Sequence, residues 1–390
     1  MPKPPKHIKN RDEKGEAPGR REISSASEEV EARRLAAKQE LFAAHDKARD
    51  LFEQGKYRES FDTYVEYGDL MGKTMGLAGA EAATLEGARK FEGLRLWYEA
   101  GNLYLVSANF LNNQGLTLDA GDFYLAAAET LEKTQDKNLR GLIASSYGAA
   151  SQALRIAKKL GESDKALMKG VMAATGSNPL EVEGNALRFA RAGDLRNASE
   201  RFMEAARIYQ RAIDELSDLA VSVQQGPLAV DVKSTLSHRA GQNLLASAAC
   251  QSRLDQRSNV ARETMVKAAD EFTEAIINYT PLFTLGEVHK VDYRRYAYDL
   301  MMAAALRIAL GSTEDIAILQ DQLFAIDKKG TKELEESGYL VVAVALMKAK
   351  RIKSVITDLT EVNFGSVDEL KDSIIELLMK PEMEMEKKKR

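Results

Sequence analysis

Apolar positions recur along most of this chain at intervals of three and four residues. Leu41, His45, Ala48 and Phe52 stand at spacings of 4, 3 and 4, which puts them on one face of a helix. Read from end to end, the pattern predicts helices at about 25–55, 57–71, 81–92, 93–113, 117–134, 138–160, 163–175, 179–192 and 195–223. It continues at about 229–254, 257–278, 288–310, 313–325, 331–349, 352–362 and 366–380. Ser27 is a candidate cap for the first helix, with Val30 opening its apolar stripe. Pro179 suits a first helical turn. Gly55, Gly193, Gly226-Pro227, Asn278-Tyr279-Thr280-Pro281 and Gly311-Ser312 mark turns. No proline lies between Pro18 and Pro179, and β-branched runs are few, so a sheet has little to build from. The expectation is an all-α protein.

The pattern repeats itself. Glu99-Ala100-Gly101-Asn102-Leu103-Tyr104-Leu105 is followed by Asp119-Ala120-Gly121-Asp122-Phe123-Tyr124-Leu125, an offset of 121 − 101 = 20 residues. That is about one helix plus a turn. Arg191-Ala192-Gly193-Asp194 is a third echo and Tyr67-Gly68-Asp69 a fainter one. Self-similarity at this period points to stacked helical repeats. The segment 48–64, with a small residue, a turn glycine and an aromatic after it, resembles the helix–turn–helix junction of a tetratricopeptide repeat. The expected architecture is a tetratricopeptide-like αα-superhelix followed by a C-terminal helical bundle. Its expected parts are a disordered N-terminal arm over 1–24, the repeat layer over 25–226, the bundle over 227–380 and a charged tail over 381–390.

Composition narrows the function. A net charge of −4 argues against a dedicated nucleic-acid binder. Cys250 is the one cysteine, so no intrachain disulfide can form; this fits a reducing, cytoplasmic setting. The N-terminus carries no apolar signal-like stretch, and the longest apolar run, 339–347, is too short to span a bilayer, which takes about 20 residues. Membrane contact would then be peripheral. Met71, Met75 and Leu77, between Gly72 and Gly76, are candidate residues for it, as a greasy loop or as a loop tucked against the next helix.

Chemistry is sparse. There is no phosphate-cradling glycine loop, no nucleophile elbow and no H-E-x-x-H, and His7, His45, His238 and His289 are far apart. No enzyme activity, cofactor or metal is expected. Two basic clusters stand out: Arg188, Arg191 and Arg196 around the third Ala-Gly-Asp, and Lys348, Lys350 and Arg351 at the end of the apolar helix. Both are candidate partner-binding sites; for the second, simple satisfaction of a helix C-terminus is an equal reading.

The repeated Ala-Gly-Asn/Asp segments with their following Tyr, and the C-terminal helices over 292–310, 318–326, 333–350 and 370–379, resemble the soluble attachment proteins of membrane fusion, the SNAP family, over about 45–380. The resemblance implies a non-catalytic adaptor that grips a SNARE-like coiled-coil bundle, recruits a hexameric AAA ATPase and touches membranes peripherally. It also implies that the Ala-Gly segments are turns. The chain departs from the family at its end, Lys387-Lys388-Lys389-Arg390, where the family has an acidic, Leu-containing segment. The alternative is a generic tetratricopeptide scaffold for protein–protein interaction. A third reading, a helical enzyme or small-ligand sensor, requires a deep polar pocket with convergent ionisable groups.

Overall fold

The computed structural model describes residues 19–74, 76–222, 228–255, 259–285, 290–324 and 338–389. Among them are sixteen α-helices and no strand. The chain divides into two compact units between Gly87 and Ala88. No division falls at the expected boundary: Gly226-Pro227 lies outside the described residues, and the helices flanking it share one core. Phe202 and Ala206 pack with Leu244 and Leu245, and Tyr209 packs with Leu236.

In the first unit, α1 (Gly19–Glu53) starts before Ser25, so part of the expected disordered arm is helical; residues 1–18 lie outside the described residues. Leu41 and Ala48 are buried and His45 half-buried, as the spacing predicts. His45 Nε2 lies 3.0 Å from Glu86 Oε2. α2 (Tyr57–Thr74) packs back on α1, and Ser60 Oγ donates to the Ala48 carbonyl across the turn, 2.7 Å. The helix runs through Gly72, so the expected loop there is absent and only Gly76 turns the chain, at φ +78°. α3 (Leu77–Gly93) follows and crosses the division.

The second unit continues with α4 (Trp97–Asn113), α5 (Thr117–Glu132), α6 (Arg140–Ile156), α7 (Leu160–Thr175), α8 (Pro179–Arg191) and α9 (Leu195–Ser222). One turn recurs. The amide six residues into each turn closes on the carbonyl five before it: Leu96 to Phe91, Leu116 to Leu111, Lys159 to Leu154 and Asp194 to Phe189, at 2.8–3.0 Å. The residue just before that amide is left-handed: Arg95, Gly115, Lys158 and Gly193. Such tight closure returns each helix antiparallel to its neighbour.

The repeated motif is not a turn, contrary to the expectation. Gly101 and Gly121 lie inside α4 and α5, where a Cβ would stand 2.6 Å from Leu131 Cγ and 2.8 Å from Leu154 Cγ respectively. The missing side chain lets the following helix close in. The motif tyrosines work in the other direction. Tyr104 donates to Glu92 at 3.0 Å and Tyr124 to Asn109 at 2.6 Å, each reaching back to the preceding helix. Burial pushes both phenols up to about 12, so they remain neutral donors. Only the Ala192-Gly193-Asp194 echo is a real turn, with Gly193 at φ +79°.

Beyond it lie α10 (Leu228–Leu254), α11 (Asn259–Leu285), α12 (Lys290–Leu310), α13 (Ile316–Phe324), α14 (Tyr339–Ala349), α15 (Ile356–Glu361) and α16 (Lys371–Lys389). Residues 296–306 of α12 are buried on every side, and α11, α14 and α16 pack around it. Two expected ends are overrun. α11 passes through Pro281, with Thr280 Oγ1 donating to the Ile276 carbonyl just before it, and α16 passes through Pro381 into the expected tail.

Candidate functional site

The first expected cluster surrounds the turn from α8 to α9. Asn178 caps α8, accepting from the Leu180 amide at 3.2 Å, and Pro179 takes the first helical position. The three arginines are exposed, and each is engaged. Arg188 donates to Asn185, and Arg196 pairs with Glu200 at 3.6 Å. Arg191 grips Glu369 with two nitrogens, Nε to Oε2 at 2.6 Å and Nη2 to Oε1. That pairing holds the carboxyl of Glu369 below its ordinary range, through the hydrogen bond first and the opposite charge after it.

The second cluster closes α14. Leu340, Val342, Ala343, Leu346 and Met347 bury one side of the helix, while Lys348, Lys350 and Arg351 are exposed. Lys350 takes the left-handed end position, φ 52°, and its amide donates to the Leu346 carbonyl at 2.8 Å. None of the three side chains forms an ion pair among the described residues, and no hydrogen bond joins this cluster to the first among them. Of the membrane candidates, Met71 is half-buried on α2; Met75 and the Leu77 side chain lie outside the described residues.

A third place was not anticipated. A cavity of about 320 Å3 opens between the end of α6, the start of α7, α10, the start of α12, Tyr339 and the Gly365-Ser366 turn. Thr235, His238, Arg239 and Gln242 enter it from α10 at positions i, i+3, i+4 and i+7, one helical face. Arg294, Arg295 and Tyr298 enter from α12, and Arg155 from the last turn of α6. Four guanidinium groups and an imidazole therefore surround one space. Among the described lining residues the carboxylate is Asp164, 3.3 Å from Arg155.

Second contacts hold these groups in place. Arg295 Nη1 donates to Thr235 Oγ1 at 2.6 Å, and its guanidinium lies 4.9 Å over the Tyr279 ring. Ser366 Oγ donates to Gln242 Oε1 at 2.8 Å, tying the C-terminal turn to α10. His238 Nδ1 lies 2.6 Å from Oδ1 of the buried Asp299, and the ring stands edge-on to Tyr298 at 5.5 Å. Burial pushes the Asp299 carboxyl up, and His238 and Arg295 pull it back. The contact with Asp299 uses one ring nitrogen of His238 and fixes the ring in the cavity wall. The whole arrangement offers many donors and little negative charge.

The polar positions 235, 238, 239 and 242 were visible in the sequence at helical spacing, among other polar residues of the same helix such as Lys233, Asn243 and Gln251. Its convergence with Arg155, Arg294 and Arg295 needed the fold. Among the described residues no group of three or more His, Cys, Asp or Glu is placed to hold a metal ion, and no helix is long and apolar enough to cross a membrane. No family model, no curated protein and no solved structure matches this chain.

Proposed function

We propose that the chain is a non-catalytic helical-repeat adaptor of the SNAP type. It holds a SNARE-like coiled-coil bundle against its helices, in the cytoplasm and at membrane surfaces through that partner, and presents it to a hexameric AAA ATPase. The observation that carries this reading is the exposed cationic end of α14, where Lys348, Lys350 and Arg351 have no acidic partner of their own among the described residues. An acidic helical bundle supplies what they lack, steering approach and fixing register. The turn-closed helices are the second support, since stacked helical pairs expose long faces suited to elongated partners.

The arginine cluster fits less simply. A partner reaching Arg191 must displace Glu369, exchanging one carboxylate for another with little net gain. That observation favours the second reading, a tetratricopeptide-type scaffold unrelated to fusion, in which this pair is structural.

A pull-down from the source lysate, with ATP hydrolysis allowed or blocked, separates the two. The adaptor reading expects a AAA ATPase and coiled-coil membrane proteins, retained only when hydrolysis is blocked. It also expects Lys348→Glu, Lys350→Glu and Arg351→Glu together to weaken capture by about tenfold or more, about 1.4 kcal/mol. Recovery of soluble proteins indifferent to nucleotide moves the assignment to the scaffold.

A further inference from the structure

We propose that the cavity between α6, α10 and α12 is a binding site for a small phosphate-bearing ligand, held by Arg155, Arg239, Arg294 and Arg295. The inference is independent of the adaptor reading and adds a site to the molecule.

Charge is the first reason. Arg239 and Arg294 have no carboxylate partner among the described residues, and both line the cavity. Arg155 lies 3.3 Å from Asp164, whose side chain is more than half exposed. The nearby Asp299 is taken up by His238. Like charges gathered around one partly enclosed space repel. A dianion seated among the guanidinium groups turns the repulsion into attraction.

Geometry is the second reason. A carboxylate offers two oxygens and is satisfied by one guanidinium fork. A terminal phosphate offers three oxygens spread tetrahedrally and accepts from several forks at once. Here the forks arrive from three helices, which matches the second shape and exceeds the need of the first. The supports that hold Arg295 and His238 place these donors before any ligand arrives, which lowers the ordering cost of binding.

Size is the third. About 320 Å3 is the lower end of ordinary ligand sites: too large for a bare phosphate alone, too small for a polymer strand. Tyr339 supplies an aromatic wall for an organic portion. The phosphate can therefore belong to a free phosphomonoester or to a lipid headgroup.

Calorimetry on the full chain, with inorganic pyrophosphate as probe and acetate as the carboxylate control, tests the site. The expected result is one saturable pyrophosphate site per chain, weakened at least tenfold in Arg239→Gln/Arg294→Gln with the circular dichroism spectrum unchanged, and no saturable acetate binding. Absence of saturable pyrophosphate binding to the wild-type chain overturns the proposal, whatever the variant does. So does equal affinity in a folded double variant, or acetate binding as tightly as pyrophosphate. Flotation with phosphatidylcholine vesicles, with and without a phosphatidylinositol monophosphate, separates the sources. Recruitment by the phosphoinositide that is lost in the double variant assigns the phosphate to a headgroup. Pyrophosphate binding without recruitment assigns it to a free ligand.

Discussion

The joint formed by α4, α5 and α6 and the cavity formed by α6, α10 and α12 share a helix and follow opposite rules. In the joint, polar groups meet partners on the adjoining helices. Tyr104 finds Glu92, Tyr124 finds Asn109, and Tyr147 finds Glu132 at 3.0 Å. Glycines at 101 and 121 remove the side chain that would hold the helices apart. Everything there serves close packing and hydrogen-bond satisfaction. In the cavity, four arginines and, among the described lining residues, one acid border an open space. The first region is what a fold does for itself. The second is what a fold tolerates when something else must bind.

The contrast is broken most severely by attacking the joint. A Cβ at position 121 would meet Leu154 Cγ at 2.8 Å, Cδ2 at 2.9 Å and the Leu154 backbone nitrogen at 3.3 Å. Rotating Leu154 relieves only the first two. Gly121→Leu is therefore expected to lose about 2–3 kcal/mol, the usual cost of overpacking a close-packed contact. Thermal melting checks this, with Gly121→Leu/Leu154→Ala as the partner measurement. The double variant should recover part of the loss, because the two positions share one contact. Wild-type melting by Gly121→Leu would mean that the helices are not held at the distance described, and the joint would lose its claim to be the stability-bearing half of the pair.

The two regions also differ in how far they could be read before the fold was known. The joint repeats within one stretch of chain, so its helices and their spacing stood in the letters. Even there the role of the letters was misassigned. Ala-Gly-Asp is a turn at 192–194, but the same letters are a helix-to-helix contact at 120–122, because burial beneath Leu154 decides what the glycine is for. Prolines misled in a similar way. Pro281 lies within α11, where Thr280 Oγ1 donates to the Ile276 carbonyl. The cavity draws residues from 155 to 366, and nothing local says that Arg155 faces Arg294. Conversely, Arg188, Arg191 and Arg196 look conspicuous together because they are neighbours in the chain. Each of them already has a partner, one of them at Glu369. Closeness along the chain exaggerated the surface cluster and concealed the one around the cavity.

A gentler test works on the cavity's side. If its arginines are there for a ligand, removing them in the absence of ligand should not harm the fold. Arg239→Gln/Arg294→Gln is expected to raise stability by about 0.5–1 kcal/mol, as relief of like-charge repulsion commonly does at binding sites. Denaturant unfolding at low ionic strength measures it, and the gain should shrink as salt screens the charges. A clear loss of stability would make these arginines structural, and the opposition between the two regions would disappear.

The finest test falls where the regions meet. Most of the repeated turns place glycine at the left-handed position, as at Gly55, Gly115 and Gly193, but two do not: Arg95 has φ 60° and Lys158 has φ 64°. A side chain there is strained, and glycine relieves the strain while freeing the unfolded chain, so the two effects partly offset. Arg95→Gly and Lys158→Gly should each stabilise by about 0.5 kcal/mol. Arg95 lies in a turn within the repeat. Lys158 lies three residues from Arg155, on the segment that carries that arginine into the cavity. Equal small gains from both, with pyrophosphate affinity unchanged, would keep the turns on the side of the fold alone. A Lys158→Gly variant that gains stability but binds pyrophosphate more weakly would show that the repeat gives up some stability at this one turn to position Arg155, and that the joint and the cavity are coupled through α6.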